Sequence, residues 1–270
     1  MTNDSPLDIG HSTLDTPLMI HLEGLACVLP ALQARQRGIQ VVLLKHDIPA
    51  SKTEELLAAA AAADVPVRRV DVAELAAMAH GSSHGGVIAV CMPKPRLGPE
   101  QLMEHLDTLS GPPLLLMLEG VDDARNLGFT LRSADAIGVS AVLIKKHLWD
   151  FDETEVARSS SGAIERVPLV QFDDIDLLQR LQKRSIRVYG CLAEARRTIY
   201  DVDLSRGVVL AIGGEKRGLS GAVRQICDQF VTIPTVEGAS SLSLSHAGAM
   251  VMGEALRQRR AKAQPAENET

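Results

Sequence analysis

The chain has 270 residues, of which 46% are hydrophobic and 23% charged, with a formal net charge of -6. That balance suits one large or two ordinary soluble domains with room for a sizeable core. Aromatic residues make up 3%, so the core must be aliphatic, and a protein that binds single strands by stacking bases on rings is disfavoured. The acidic balance argues only weakly against a nucleic-acid partner, because a local basic face is enough to hold phosphates. Cys27, Cys91, Cys191 and Cys227 are scattered with no Cys-x-x-Cys pair. Neither a disulfide scaffold nor a metal site is therefore expected, and the setting is a reducing one. No apolar run approaches the ~18 residues of a membrane span. Residues 1–10 lack a basic stretch followed by an apolar one. A cytoplasmic protein without a membrane partner is expected.

In chain order, residues 1–17 are polar without periodicity and are expected to be flexible. Residues 24–37 read as an amphipathic helix striped by Val28 and Leu32 and stopped by Gly38. Residues 40–44 are a short buried strand. Ser51 followed by Glu54 has the spacing of a capping box, opening a helix through the alanine run 58–63. A strand at 65–70, a helix at 72–80 and a strand at 86–91 complete an α/β unit over residues 18–92. Pro93, Pro95 and Gly98 mark a linker over residues 93–112, which contains a helix near 99–109. A second α/β unit covers residues 113–262, with strands at 114–118, 141–144, 186–189, 208–212 and 230–233. Helices between those strands predict a parallel sheet. Residues 263–270 are a polar tail. Basic residues cluster at Arg35, Arg37, Lys45 and Lys52, at Arg68 and Arg69, and at Arg257, Arg259, Arg260 and Lys262. Such clusters are usually solvated faces; Arg35, Arg37 and Lys45 are the candidates for contact with phosphates.

Three segments can carry chemistry. Asp122 to Gly138 follows a strand and begins a helix, with Asn126 where the strand gives way to the helix and Arg132 under two turns on. Alone it could be a cap and a surface arginine. Val208 to Ser220 is a buried strand opening into a turn with Gly213, Gly214, Glu215 and Gly218. Its glycines allow backbone to approach a neighbour or ligand closely. It matches neither a P-loop nor the dinucleotide Gly-x-Gly-x-x-Gly. Ile233 to Ala247 is small and apolar, with Glu237 its one acidic side chain. It suits backbone packed tightly against a ligand or another stretch of chain, at the start of a helix that runs to about Arg260.

Together these segments resemble the SpoU/TrmH branch of the SPOUT RNA methyltransferases. The resemblance rests on Asn126, Gly128 and Arg132; on Gly213, Glu215 and Gly218; and on Ile233, Pro234, Gly238, Ser241, Leu242 and Ser245. Val156 to Ala163 is similar to the family's Ser-Gly-Ala stretch. Gly24, Val28, Ala31, Leu32, His84, Gly86 and Val87 make residues 18–92 similar to its L30e-like RNA-binding domain.

The resemblance implies a C-terminal α/β domain with a deep trefoil knot and a parallel sheet, preceded by the small L30e-like domain, and a homodimer joined through the knotted domain. It implies S-adenosylmethionine as cofactor, contacted by Gly213, Gly214, Ile233 and Leu242. It implies methyl transfer to a ribose 2′-hydroxyl of RNA, with ribosomal RNA favoured by the N-terminal domain and transfer RNA the alternative. Arg132 would bind the phosphate and orient the ribose, or accept the hydroxyl proton, while Asn126, Glu215, Ser241 and Ser243 complete the catalytic group. Ser243 departs from the family pattern, which has asparagine there. An asparagine offers a donor and an acceptor with longer reach than a serine hydroxyl. Restoring asparagine is expected to preserve or raise activity, and a large loss would mean the site has been rebuilt around serine. Rival readings are a catalytically silent RNA- or ribosome-binding protein and an unrelated nucleotide-dependent α/β enzyme.

Overall fold

The computed structural model describes residues 19–81, 84–121, 123–145, 151–238 and 241–263. The terminal stretches 1–18 and 264–270, Asp122 in the first motif segment, and Ala239 and Ser240 in the small-residue tract lie outside the described residues.

In the N-terminal unit, strands Ile20–Glu23 (β1), Ile39–Lys45 (β2), Val67–Val70 (β3) and Val87–Cys91 (β4) form a sheet in the order β1-β4-β2-β3. Strand β4 runs antiparallel to β1 and β2, and β2 pairs parallel with β3. Side chains alternate across the pleat. Val42, Leu44, Val87 and Ala89 therefore meet the helices Leu25–Ala34 (α1) and Ala50–Ala62 (α2). Leu43, Val70 and Ile88 face the other way, onto Leu75 of the helix Val72–Met78 (α3). Two local expectations change. The left-handed residue that ends α1 is Arg35, at φ 51°, and not Gly38. Helix α2 starts behind Pro49 without a side-chain cap, so Ser51 lies inside its first turn.

The C-terminal unit holds a wholly parallel sheet, β10-β8-β9-β5-β6-β7. Its strands are Leu114–Glu119 (β5), Ala141–Lys145 (β6), Leu169–Phe172 (β7), Arg187–Cys191 (β8), Val208–Gly213 (β9) and Gln229–Val231 (β10). The four-residue strands β1 and β7 were not expected from the sequence. Helices Ala124–Ile137 (α5), Glu153–Ser159 (α6) and Leu244–Ala263 (α9) are joined to one buried apolar cluster, in which Leu127, Leu131, Val156, Val251 and Met252 meet Leu114, Leu116 and Leu118. Helices Pro99–Asp107 (α4), Asp176–Lys183 (α7) and Gly221–Ile226 (α8) bury Leu102, Leu106, Leu178, Leu181 and Val223 with Leu115 and Met117, which face the other way.

The stretch 93–112, expected as a linker, is packed into this second unit. Leu97 N–H donates to Leu169 O at 2.8 Å, and Leu97 O accepts from Gln171 N–H at 2.9 Å. Helix α4 presents Leu102 and Leu106 to the sheet, because its apolar face needs a surface to cover it.

The two units share one continuous apolar cluster, sealed by buried charges. The Arg37 guanidinium donates to Glu165 at 2.8 and 3.0 Å and lies 2.6 Å from Glu153 Oε1. The Arg37 side chain is 0% exposed, so it offers no face to phosphate, and the RNA contact expected of it is corrected to a structural tie. Lys94 Nζ donates to Ile164 O and, at 2.8 Å, to Val167 O, while Lys94 N–H donates to Glu153 at 2.8 Å. Gly162, in the Ser-Gly-Ala stretch and at φ 75°, sits where an added Cβ would lie 2.4 Å from Ala26 O of α1. That stretch therefore serves the docking of the two units.

Candidate functional site

The site forms at the carboxyl edge of the parallel sheet, where open α/β sheets bind ligands. Helix α5 is started by Asp123, whose side chain accepts from Arg125 N–H at 2.6 Å. Gly128 lets α5 rest on α6, because a Cβ there would be 1.9 Å from Ser159 Oγ. This turns Asn126 toward α9, and its Oδ1 accepts from Ser245 Oγ at 3.2 Å.

The turn after β9 is closed by Gly218 N–H donating to Gly214 O at 2.9 Å. A Cβ on Gly213 would meet Gly218 C at 2.1 Å, and one on Gly214 would meet Gly120 O at 1.9 Å. Gly214 is thus required by the chain leaving β5, which accounts for the absence of a larger side chain there. Glu215 is exposed, and its Oε1 accepts from Leu244 N–H, the first residue of α9, at 3.3 Å. Beneath the turn, Glu119 stands in register with Gly213 and accepts from Ser220 N–H at 2.8 Å. Burial pushes the Glu119 carboxyl up, but hydrogen bonds from Lys145 and Ser220 outweigh it and hold it below the usual range.

A cleft of about 450 Å³ opens between this turn and the head of α9. Gly213, Gly214, Glu215, Ile233, Ser241 and Leu242 all line it, although they come from three separate stretches of chain. Its apolar wall includes Leu192, Ile212, Val231 and Leu244, and Glu194 adds a second carboxylate. The volume lies within the ~300–1,000 Å³ typical of small-molecule sites.

Not all predicted residues meet there. Arg132 is six positions beyond Asn126, about 9 Å along the axis and about 120° around it. It is exposed and is not among the residues lining the cleft, and neither are Asn126 and Ser243. Arg35 is exposed, and Lys45 is partly exposed beside Arg69, which donates to Lys45 O at 3.1 Å. At the far end of α9, Arg259 holds Pro113 O at 3.0 Å and Lys262 pairs with Asp203 at 3.1 Å, both structural ties. Sequence reasoning missed His246. Its Nδ1 is 2.6 Å from Ser243 Oγ, and its N–H donates to the same oxygen at 3.5 Å. The Ser-x-x-His spacing at a helix start was the available signal.

The geometry is that of a parallel α/β protein with a glycine-shaped cleft and a polar constellation at its sheet edge. The family model described as the SpoU rRNA Methylase family matches residues 113–253, and the one described as RNA 2'-O ribose methyltransferase substrate binding matches residues 21–97. The chain belongs to the SpoU rRNA methylase family. It is 35% identical over 240 residues to the 23S rRNA (guanosine-2'-O-)-methyltransferase RlmB of Pseudomonas putida, covering 88% of this chain and 96% of that one. The Ralstonia nicotianae RlmB is also 35% identical, over 88% of this chain and 95% of its own. Among solved structures, an RNA 2'-O ribose methyltransferase superposes with a TM-score of 0.72 at 26% identity, covering 90% of this chain and 89% of that one. The fold is shared with AviRb from Streptomyces viridochromogenes in complex with AdoMet, at a TM-score of 0.75 and 22% identity over 90% and 91% of the two chains.

Proposed function

We propose that this protein transfers a methyl group from S-adenosylmethionine to a ribose 2′-hydroxyl of 23S-type ribosomal RNA, at a guanosine as the names of its relatives indicate. The observation that carries this reading is the cleft, where the glycine turn, Ile233 and the Ser241–Leu242 backbone converge beside Asn126, Glu215 and Ser245. Its apolar wall suits a nucleoside, and the Glu215 carboxylate suits a cationic amino group, while Glu194 is paired with Arg224 at 3.5 Å. When bound there, S-adenosylmethionine supplies the methyl group. Gly213, Gly214, Ile233 and Leu242 hold it, largely through backbone and apolar contact. Asn126, Glu215, Ser241 and Ser243 orient the ribose, and Arg132 binds the adjoining phosphate.

Phe129 on α5 and Met250 on α9 are 48% and 42% exposed on helices that pack side by side. That apolar surface supports a homodimer through these helices. On this reading Arg132, on the outer face of α5, meets the RNA at the dimer seam. A C-terminal trefoil knot, which membership of the family suggests, would thread the small-residue tract 233–247, whose residues 234–238, 241 and 242 are exposed in the single chain. The exposed Arg35, Lys45, Arg68 and Arg69 support an RNA-binding role for the N-terminal unit. Among the described residues no helix is long and apolar enough to cross a membrane, and no group of three or more His, Cys, Asp or Glu side chains is placed to hold a metal ion. A ribosomal RNA substrate is reached in the cytoplasm.

The test is transfer of labelled methyl from S-adenosylmethionine to an unmodified 23S ribosomal RNA transcript, followed by nuclease mapping. Label on a ribose 2′-oxygen is expected. Label on a base, or none above a protein-free control, overturns the reading.

A further inference from the structure

The ribose hydroxyl must lose a proton as the methyl group arrives. An arginine accepts one poorly, because it stays protonated to above about pH 12. This chain holds a better acceptor, His246, in the first turn of α9. Four side chains lie in successive polar contact from the first motif to the surface, as two hydrogen-bonded pairs set side by side. Asn126 Oδ1 accepts from Ser245 Oγ at 3.2 Å, Ser245 Oγ is 3.1 Å from Ser243 Oγ, and Ser243 Oγ is 2.6 Å from His246 Nδ1. Ser245 is 7% exposed, Ser243 is half-buried, and His246 is exposed. The amide oxygen of Asn126 can only accept, which commits the single Ser245 hydrogen to it. Ser243 has one hydrogen to give, and the imidazole is its nearer partner. A neutral imidazole protonated at Nε2 presents Nδ1 as the acceptor.

We propose that His246, acting through Ser243, takes the proton of the ribose 2′-hydroxyl, and that the serine at position 243 is part of this device. The inference rests on the methyltransferase reading above. The ribose oxygen bonds to the methyl carbon, and the carbon–sulfur bond breaks with its electron pair left on sulfur. The hydroxyl proton passes to Ser243 Oγ as the Ser243 proton passes to His246 Nδ1. One positive charge leaves the sulfur and one appears on the imidazole, so charge and atoms balance.

The elements packed against this end of α9 are α5, β9 and the turn after β9. Their ionisable groups are Arg125, Arg132 and Asp135 on α5 and Glu215, Lys216 and Arg217 on the turn; β9 has none. Arg125 is paired with Glu155 at 2.8 Å and Asp135 with Arg166 at 2.6 Å. The next ionisable residue on α9 is Glu254, paired with Arg257 at 2.7 Å.

Two measurements decide the matter. The first is kcat against pH for methyl transfer to the unmodified 23S transcript by wild type, His246→Gln and Ser243→Asn. A histidine acceptor gives kcat a limb that rises with pH. His246→Gln keeps a hydrogen-bond partner for Ser243 but cannot take the proton. It should lower kcat about a hundredfold at neutral pH, with KM little changed, and remove the pH limb. Ser243→Asn keeps the cap and loses the relaying hydroxyl, so it should fall to a similar level rather than gain activity. His246→Gln within about twofold of wild type at every pH overturns the proposal. The second measurement is the NMR titration of the His246 ring protons in the resting protein. Ser243→Ala must move its midpoint, and an unmoved midpoint overturns the relay whatever the kinetics. A wild type that transfers no methyl fails the methyltransferase reading itself, so the two failures are distinguishable.

Discussion

The seam between the two units and the head of α9 both use polar side chains to join distant parts of the chain. At the seam Arg37 and its partners Glu153 and Glu165 are 0%, 5% and 1% exposed. Burial pulls the Arg37 guanidinium down, but Glu165 and then Glu153 outweigh it and hold it above its ordinary value. At the head of α9 the polar side chains reach from buried Ser245 to half-buried Ser243 and exposed His246, so the Ser243–His246 pair is open to solvent. The first arrangement cannot exchange protons with solvent and serves to hold two units in one geometry. The second can, and it stands beside the cleft. Buried charge specifies position here, and half-exposed polarity is left for chemistry.

Breaking the seam should produce the largest change in stability. Arg37→Met leaves two carboxylates buried without their cation and should cost about 3–5 kcal/mol in urea unfolding. A loss under about 1 kcal/mol would mean that water reaches the seam and that the contrast with α9 is false. Next comes Gly214→Ala, whose Cβ meets Gly120 O at 1.9 Å. Overpacking of this kind costs about 1–3 kcal/mol. It should also weaken S-adenosylmethionine binding in calorimetry, and unchanged affinity would separate the turn from the cleft.

Lys94 sharpens the comparison through pH. Burial, opposed by Glu165 and reinforced by Arg37, lowers it from 10.5 to about 8. Between those values the unfolded chain binds the extra proton, so this group makes stability rise with pH. Its penalty is present in full below about pH 8 and is relieved as pH approaches 10.5. The stability difference between wild type and Lys94→Met should therefore shift in favour of wild type across that window, and a difference independent of pH would refute the assignment. The smallest effect on stability is expected at the exposed site residue. Arg132→Ala should change unfolding by no more than about 0.5 kcal/mol. It should abolish methyl transfer while leaving cofactor affinity within about tenfold, or roughly 1.4 kcal/mol. Normal turnover in that variant would remove Arg132 from the mechanism.

Much of the fold was legible in the residues, because aliphatic strands such as 114–118 and 208–212 declare themselves by composition and are buried in the parallel sheet. The strands β1 and β7 were not among the expected elements. The packed state of 93–112 was also hidden, because Pro93, Pro95 and Gly98 punctuate a bound segment as readily as a free one. In the site, Asn126, Gly213, Glu215 and Ser243 were legible as residue types at motif spacing. Gly128, Gly162 and Gly214 show why glycine stands there only once Ser159, Ala26 and Gly120 are seen against them.

The sequence by itself determined the parallel α/β plan, which follows from composition and periodicity, and its motifs carried the resemblance to the family. The tertiary structure decided which of those residues meet. It turned Arg37 from a candidate phosphate contact into a sealed tie, set Arg132 off the cleft, and joined His246 to Asn126 through two serines. Burial and hydrogen-bond partnership depend on chain segments remote in sequence, and no local pattern encodes which segment arrives.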